Sequence, residues 1–191
     1  MNLSALKSPP FRSYVVSLHL ALNGFWAQRV IIGWLAWEMT GSAGFVGLVA
    51  FLNFFPTLFV SPLFGVFADR IDVRKGSILS YALAGILSAL FAGLCIFGSP
   101  TPILLALFSL VTGVISSANH PMRMSLTPRL APAGDLPSVV AINSLNFNMS
   151  RLTGPAIGGI LIQTIGAPLA FAVTAVTYAA PVTAIYFMRP R

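Results

Sequence analysis

Apolar residues along this chain come in long blocks rather than in amphipathic stripes. Six blocks stand out, near Tyr14–Trp37, Phe45–Ala68, Gly76–Phe97, Pro102–Asn119, Leu136–Ile165 and Ala167–Met188. A helix crosses the ~30 Å of bilayer hydrocarbon with about 20 such residues. Lipid offers no partner to a backbone N–H or C=O, so a segment that crosses alone must be helical. The pattern predicts an all-α membrane protein, a single bundle of six transmembrane helices over residues 1–191. Three of its connections are short: "EMTGSAG", "GSPTP" and "GAP". Two are longer, "DRIDVRKG" at Asp69–Gly76 and "HPMRMSLTPRLAPAGDLPS" at His120–Ser138. The second carries three further prolines after its opening His-Pro, which predict that no helix runs through it. It leaves room for a short surface helix before Pro128.

Composition agrees with a lipid setting. Hydrophobic residues make up 57% and charged residues 8%, against about 45–50% and about 25% in soluble proteins. The net charge of +7 would suit nucleic acid or a membrane surface, and its distribution decides between them. Lys7 and Arg12 precede the first span, and Arg70, Arg74 and Lys75 sit between the second and third. Arg123 and Arg129 lie between the fourth and fifth, while Arg189 and Arg191 follow the sixth. The three short connections hold no Lys or Arg. Cytoplasmic loops collect positive charge, so both termini are expected in the cytoplasm, and no basic face remains for nucleic acid. The first block is too long for a signal peptide and lacks a small-residue cleavage site. Cys95 falls within the third span, where it packs rather than pairs.

Several polar residues lie inside the spans. A charge at the bilayer centre is costly and faces a cavity or the bundle interior, which singles out Arg29 and Arg151. On the first helix His19, Asn23, Trp26, Gly33 and Trp37 share an arc of about 80°, with Arg29 at its edge. On the fourth, Ser109, Thr112, Gly113, Ser116 and His120 share another. Trp34 and Trp37 suit the outer aromatic belt, whereas Trp26 is mid-span. In "SRLTGPAIGGILI", Ser150–Ile162, helix breakers interrupt an apolar run. At about 100° per residue, Asn143, Ser150, Gly154 and Gly158 fall on one side. That small, flat side suits close packing against another helix, and Pro155 favours a bend that neighbouring helices tolerate.

Two motifs resemble a known family. "GVFADRIDVRKG", Gly65–Gly76, is similar to the signature between the second and third helices of the major facilitator superfamily. "GPAIGG", Gly154–Gly159, resembles the fifth-helix signature of that superfamily's exporters, with Ser150 where a glycine is usual. The longer segments Leu35–Arg70 and Thr127–Gly159 are similar to the bacterial branch that exports enterobactin and macrolides. The resemblance implies two six-helix halves with substrate at the midplane between them, of which this chain is like the amino-terminal one. It also implies the bacterial inner membrane as the location.

The resemblance assigns roles to the singled-out residues. Gly65, Asp69, Arg70, Arg74 and Lys75 form a gating loop, in which Asp69 pairs with a cation and with a helix N-terminus of the other half. Val73 replaces the first of two usual arginines, so Arg74 or Lys75 supplies the cation. Arg151, Gly154, Pro155, Gly158 and Gly159 form the exporter motif that meets the opposite half and seals it; the residues alone read as ordinary packing. Arg151 is a structural group or a link to that gate. The first and fourth helices line the cavity, which makes His19, Asn23, Trp26, Arg29, Ser109, Thr112 and Ser116 candidate substrate walls. Arg29 fits a cavity ligand and a buried pairing group equally. Family analogy adds proton antiport, yet Glu38 sits at the outer end of its helix and Asp69, Asp72 and Asp135 in or beside the inner loops. Coupling would therefore fall to Glu38, a histidine or the other half.

The expected function is half of a secondary transporter that exports small amphipathic molecules of drug, macrolide or siderophore type. Its partners are the bilayer, the substrate, and a second six-helix half or a second copy. The alternative is a six-helix membrane protein without transport of its own, a truncated remnant or an interaction partner. An enzyme is not expected, because no phosphate loop, nucleophile motif or metal-spaced His/Cys cluster appears. No cofactor or metal is implied.

Overall fold

The computed structural model describes residues 4–68, 72–130 and 135–188, and among them every regular element is helical, with no strand. A 3-10 turn at Ser4–Lys7 leads into α1, Pro9–Thr40. Then come α2, Ala43–Phe54, and α3, Pro56–Ala68. Helices α4, Val73–Phe97, and α5, Pro102–Leu126, follow, and a 3-10 turn spans Thr127–Leu130. The chain closes with α6, Leu136–Thr177, and α7, Ala179–Phe187. Five helical stretches are long and apolar enough to cross a membrane, the last of them Leu136–Phe187.

Local chemistry sets the ends. Gly41, at φ 59°, gives α1 a left-handed C-cap, and Ser42 then caps α2 by accepting from the Phe45 N–H. Thr101 and Asp72 cap α5 and α4 in the same way, using otherwise unpaired first-turn donors. At the other end of the bundle the last-turn carbonyls of α7 are satisfied by Arg74 from α4. Its Nε donates to the Ile185 carbonyl at 3.1 Å and its Nη2 to that of Tyr186 at 2.6 Å.

Burial is inverted relative to a water-soluble protein. Leu58, Leu90, Leu152 and Val176 are 67–74% exposed, while Ser109 and Ser150 are fully buried and Asn23, Gln28 and Asn53 nearly so. An apolar exterior is what a hydrocarbon solvent selects, because lipid tails do not drive apolar side chains inward. Two apolar cores lie at different levels. One joins Phe11, Tyr14 and Leu18 to Tyr81, Leu126 and Ile185. The other joins Ile31 and Leu35 to the ring trio Phe91, Phe108 and Phe171, whose centroids are 4.3–5.6 Å apart. Most of the buried amides lie between them.

Helix α6 is two limbs. Gly166 takes φ 78° and ψ 162°, a backbone region open in practice only to glycine. A Cβ on Gly154 would meet the Asn23 carbonyl and Trp26, and one on Gly24 would meet Thr177. Residues 154 and 177 therefore flank the same turn of α1 from either side of Gly166, so the limbs run antiparallel.

Prolines behave differently from expectation. The stretch Phe45–Ala68 is not one helix but breaks at Phe55, ahead of Pro56, which has no N–H to continue the ladder. Conversely, α5 runs through Pro121 to Leu126, so the first seven residues of the expected loop from His120 are helix. The place of the expected short helix before Pro128 is taken by the end of α5 and a 3-10 turn. The reason lies on α3. Pro121 leaves the Ser117 carbonyl without its helical donor, and the Ser61 hydroxyl donates to that carbonyl at 3.0 Å.

Ser61→Ala should therefore destabilise the protein in lipid nanodiscs by about 1 kcal/mol. In a Pro121→Ala background, where residue 121 regains its N–H, the same change should cost little. Equal losses of unfolding temperature in both backgrounds would exclude this account.

Candidate functional site

The tightest contact in the bundle joins α1 to the first limb of α6. Gly154 and Gly158 are buried there, and a Cβ on Gly158 would stand 2.8 Å from the Ala27 carbonyl. Beside these glycines runs a hydrogen-bonded polar row. His19 Nδ1 lies 2.7 Å from Asn146 Oδ1 and 3.1 Å from Ser150 Oγ. Asn23 donates to Ser150 Oγ at 3.2 Å and accepts from Thr153 at 2.6 Å, while Asn146 donates to the Val15 carbonyl. Each bond replaces one that lipid cannot supply, so the row locks the register of the two helices.

On another side of α1 lies a crevice. A cavity of about 100 Å³ opens between α1, α4 and α5, walled by Phe25, Tyr81, Ser116, Asn119, Arg123 and Tyr178 among others. It shares Phe25, Ala84, Ser116 and Tyr178 with a narrow bay of about 10 Å³, lined by Gln28, Arg29, Asn53, Ser88 and Thr112. Gln28 donates to Ser88 at 2.9 Å and accepts from the Tyr178 hydroxyl at 3.0 Å, tying three helices together beside the bay. The Asn53 amide donates to Thr112 Oγ1 and to the Ser109 carbonyl, leaving its own Oδ1 buried without a partner.

Arg29 is held by rings rather than by charges. Its guanidinium carbon lies 3.8 Å from the ring centre of Phe54, 4.5 Å from that of Phe25 and 5.0 Å from that of Trp26. Such contacts favour a cation by about 0.5–2 kcal/mol. Its Nε is buried without an acceptor, and among the described residues no carboxylate answers it.

The expected cavity walls thus divide. Arg29, Thr112 and Ser116 border the crevice. His19 and Asn23 do not; they are engaged in the seam with α6, because Asn146, Ser150 and Thr153 face them there. Ser109 bonds back to the Leu105 carbonyl, and its own carbonyl holds Asn53. Trp26 stands between the two regions: its Cβ lies over Gly154, its ring approaches Phe147, and its Nε1 is buried without a partner.

In the expected exporter motif, Gly154 and Gly158 pack against α1 of this same chain, as ordinary helix packing would have them. A glycine pair lets a backbone approach, and α1 has taken that space. Arg151 is exposed, 5.8 Å from the Trp26 ring, Pro155 is half-buried, and Gly159 faces open space. In the gating loop, Asp69 and Arg70 lie outside the described residues, and Gly65 is exposed. The Lys75 N–H and the Arg74 N–H both donate to Asp72. Arg74, one of the two expected latch cations with Lys75, caps α7, since unpaired last-turn carbonyls attract a guanidinium.

Gln28, Asn53, Ser88, Asn146 and Tyr178 were not among the expected site residues. A lone amide in an apolar run was the available signal for Gln28 and Asn53; the polar face of Tyr178 had none. Trp34 and Trp37 are about half exposed, as anchors would be. Among the described residues no group of three His, Cys, Asp or Glu side chains could hold a metal.

Comparison with known proteins adds a family. The transmembrane secretion effector family matches residues 1–191. The staphyloferrin A transporter of Staphylococcus aureus is 26% identical over 165 residues, covering 85% of this chain and 41% of the relative. The multidrug efflux pump Tap of Mycobacterium tuberculosis is 27% identical over 187 residues, covering 94% and 44%. The enterobactin exporter EntS of Shigella boydii is 31% identical over 173 residues, covering 87% and 40%. The chain thus spans about two-fifths of the length of these relatives. No solved structure matches it.

The seam makes a sharp prediction about adjacent glycines. Gly158→Val should cost about 1–3 kcal/mol by forcing Ala27 away, whereas Gly159→Val should change stability by less than about 0.5 kcal/mol. Unfolding of both variants in the same detergent tests it, and equal losses would refute the seam.

Proposed function

This chain belongs to the transmembrane secretion effector family of the major facilitator superfamily, and from that premise we propose that it is one half of an exporter. In this reading the chain crosses the bilayer six times, α2 with α3 forming one crossing and the two limbs of α6, the second extended by α7, forming the last two. The antiparallel hairpin at Gly166 supports that count. Both termini and the Arg- and Lys-bearing connections lie in the cytoplasm, and the membrane is the bacterial inner membrane.

The observation that carries transport is the crevice. A bundle clothed in apolar side chains keeps open space at the level of its buried amides and, among the described residues, gives Arg29 there no counter-ion. A merely structural bundle gains nothing from an unanswered cation at that depth. The crevice receives a small amphipathic molecule: apolar and aromatic walls hold its body, while Arg29, Asn53 and Ser116 address its polar end. Alternating access then rocks this bundle against a second one. The α2–α3 pair is a suitable contact, since Leu58, Phe59 and Leu63 are all more than half exposed. The second bundle is a companion chain, a further segment or a second copy. Proton coupling through this chain would run through His19, whose ring bonds across the α1–α6 seam.

Topology and transport are tested separately. With Cys95 replaced by Ala, single cysteines at Ser42 and Ser99 should react with an impermeant maleimide added outside cells, and cysteines at Lys75 and Arg129 should not. Labelling of both pairs from one side would end the six-crossing reading. Energised vesicles containing the chain, alone or with a companion six-helix chain, should expel ethidium or anilinonaphthalene sulfonate, and Trp26→Ala should slow the efflux several-fold. No movement of either dye in both preparations would leave the non-transporting alternative.

A further inference from the structure

We infer that the crevice selects an anionic amphiphile, whose acidic oxygen is received by Arg29 while its apolar body lies in the larger cavity. The inference rests on the transport reading for the claim that this ligand is cargo, and on geometry for the rest. The bay at Arg29 has room for about one water-sized group. Around it the donors outnumber the uses made of them. Among the described residues the Arg29 Nε–H has no acceptor, and its guanidinium lies over rings, which stabilise a cation without engaging its N–H groups. An anionic oxygen is what such a group lacks; the orphaned Asn53 Oδ1 offers a ligand donor one acceptor in the bay, but a ligand ammonium there also meets the full charge of Arg29.

The wider cavity points the same way. Its walls include Ala21, Leu22, Phe25, Ala84 and Ile115, and its far end carries a second guanidinium, Arg123. Along α5, Thr112 at the bay and Arg123 at the far end are separated by about 16 Å. Neither space is lined by Glu38, Asp72 or Asp135, the described acidic residues. Three rings within 5.0 Å of the guanidinium carbon hold the group in place, so less of its freedom is lost on binding. Replacing Arg29 with Lys would keep the charge but lose that planar fork.

Hexanoate, hexanol and hexylammonium share a body and differ in charge, which makes them suitable probes. Trp34→Phe with Trp37→Phe leaves Trp26, 5.0 Å from the Arg29 guanidinium, as the reporter tryptophan. With the full chain in phosphatidylcholine nanodiscs, which hold no anionic lipid, hexanoate should bind at least about tenfold tighter than hexylammonium by Trp26 fluorescence. Arg29→Gln should weaken hexanoate about tenfold and abolish the preference. Ser116→Asp, which puts a carboxylate on the wall common to bay and cavity, should turn the preference towards hexylammonium. Equal binding of the two ions to the parent chain would overturn the inference whether or not the variants fold. So would an anion preference that survives Arg29→Gln. Selective hexanoate binding without efflux of either dye would remove the transport reading and keep the anion site; dye efflux without anion preference would do the opposite.

Discussion

The approach of α1 to the first limb of α6 is the contact on which the remainder of the bundle depends. In lipid, burying one apolar side chain against another gains little, so helices associate by backbone proximity and by bonds the solvent cannot offer. Both are present here. Gly154 and Gly158 let the backbone of Ala27 come within van der Waals range, and His19, Asn23, Asn146, Ser150 and Thr153 form a continuous bonded row beside them. Helix α1 then touches α2, α5 and α7 as well, which makes it the central post.

A second rule follows from the same solvent. Polar groups inside the bundle are answered by other helices: Gln28 by Ser88 and Tyr178, Asn53 by Thr112, Asn119 by Ser80. Even a backbone carbonyl freed by Pro121 is met by Ser61. Against that background the unanswered groups are conspicuous. Arg29 Nε, Trp26 Nε1 and Asn53 Oδ1 are buried without partners, and all three belong to residues at or next to the bay. Tyr14 Oη, Ser77 Oγ and Asn143 Oδ1 are buried without partners elsewhere, so half of the six such atoms among the described residues gather at one place.

The gating loop illustrates how a motif residue is redirected by its surroundings. Arg74 reaches the final carbonyls of α7 within its own bundle, tying the start of α4 to the end of the chain's described helices.

Much of this was legible along the chain. Block lengths and the scarcity of charge within the blocks determine a membrane-embedded, all-helical chain, because hydrocarbon penalises charge and unpaired backbone whatever the fold. The small side of helix five was legible too, since Ser150, Gly154 and Gly158 recur at helical spacing. Its partner was not. Spacing shows that a face is flat but not which helix lies upon it, and here it is α1 of the same chain. The prolines divide for a similar reason. Pro56 stands at a helix boundary while Pro121 does not, and at Pro121 the freed Ser117 carbonyl is met by a hydroxyl from α3, remote in sequence and near in space. Arg29 was visible as a costly charge with two equal readings, ligand or buried pair. Phe25 and Trp26 stand four and three residues before it on α1, a spacing the sequence shows; only the tertiary structure brought the third ring, Phe54 of α2, because one-dimensional periodicity does not encode which helix packs there.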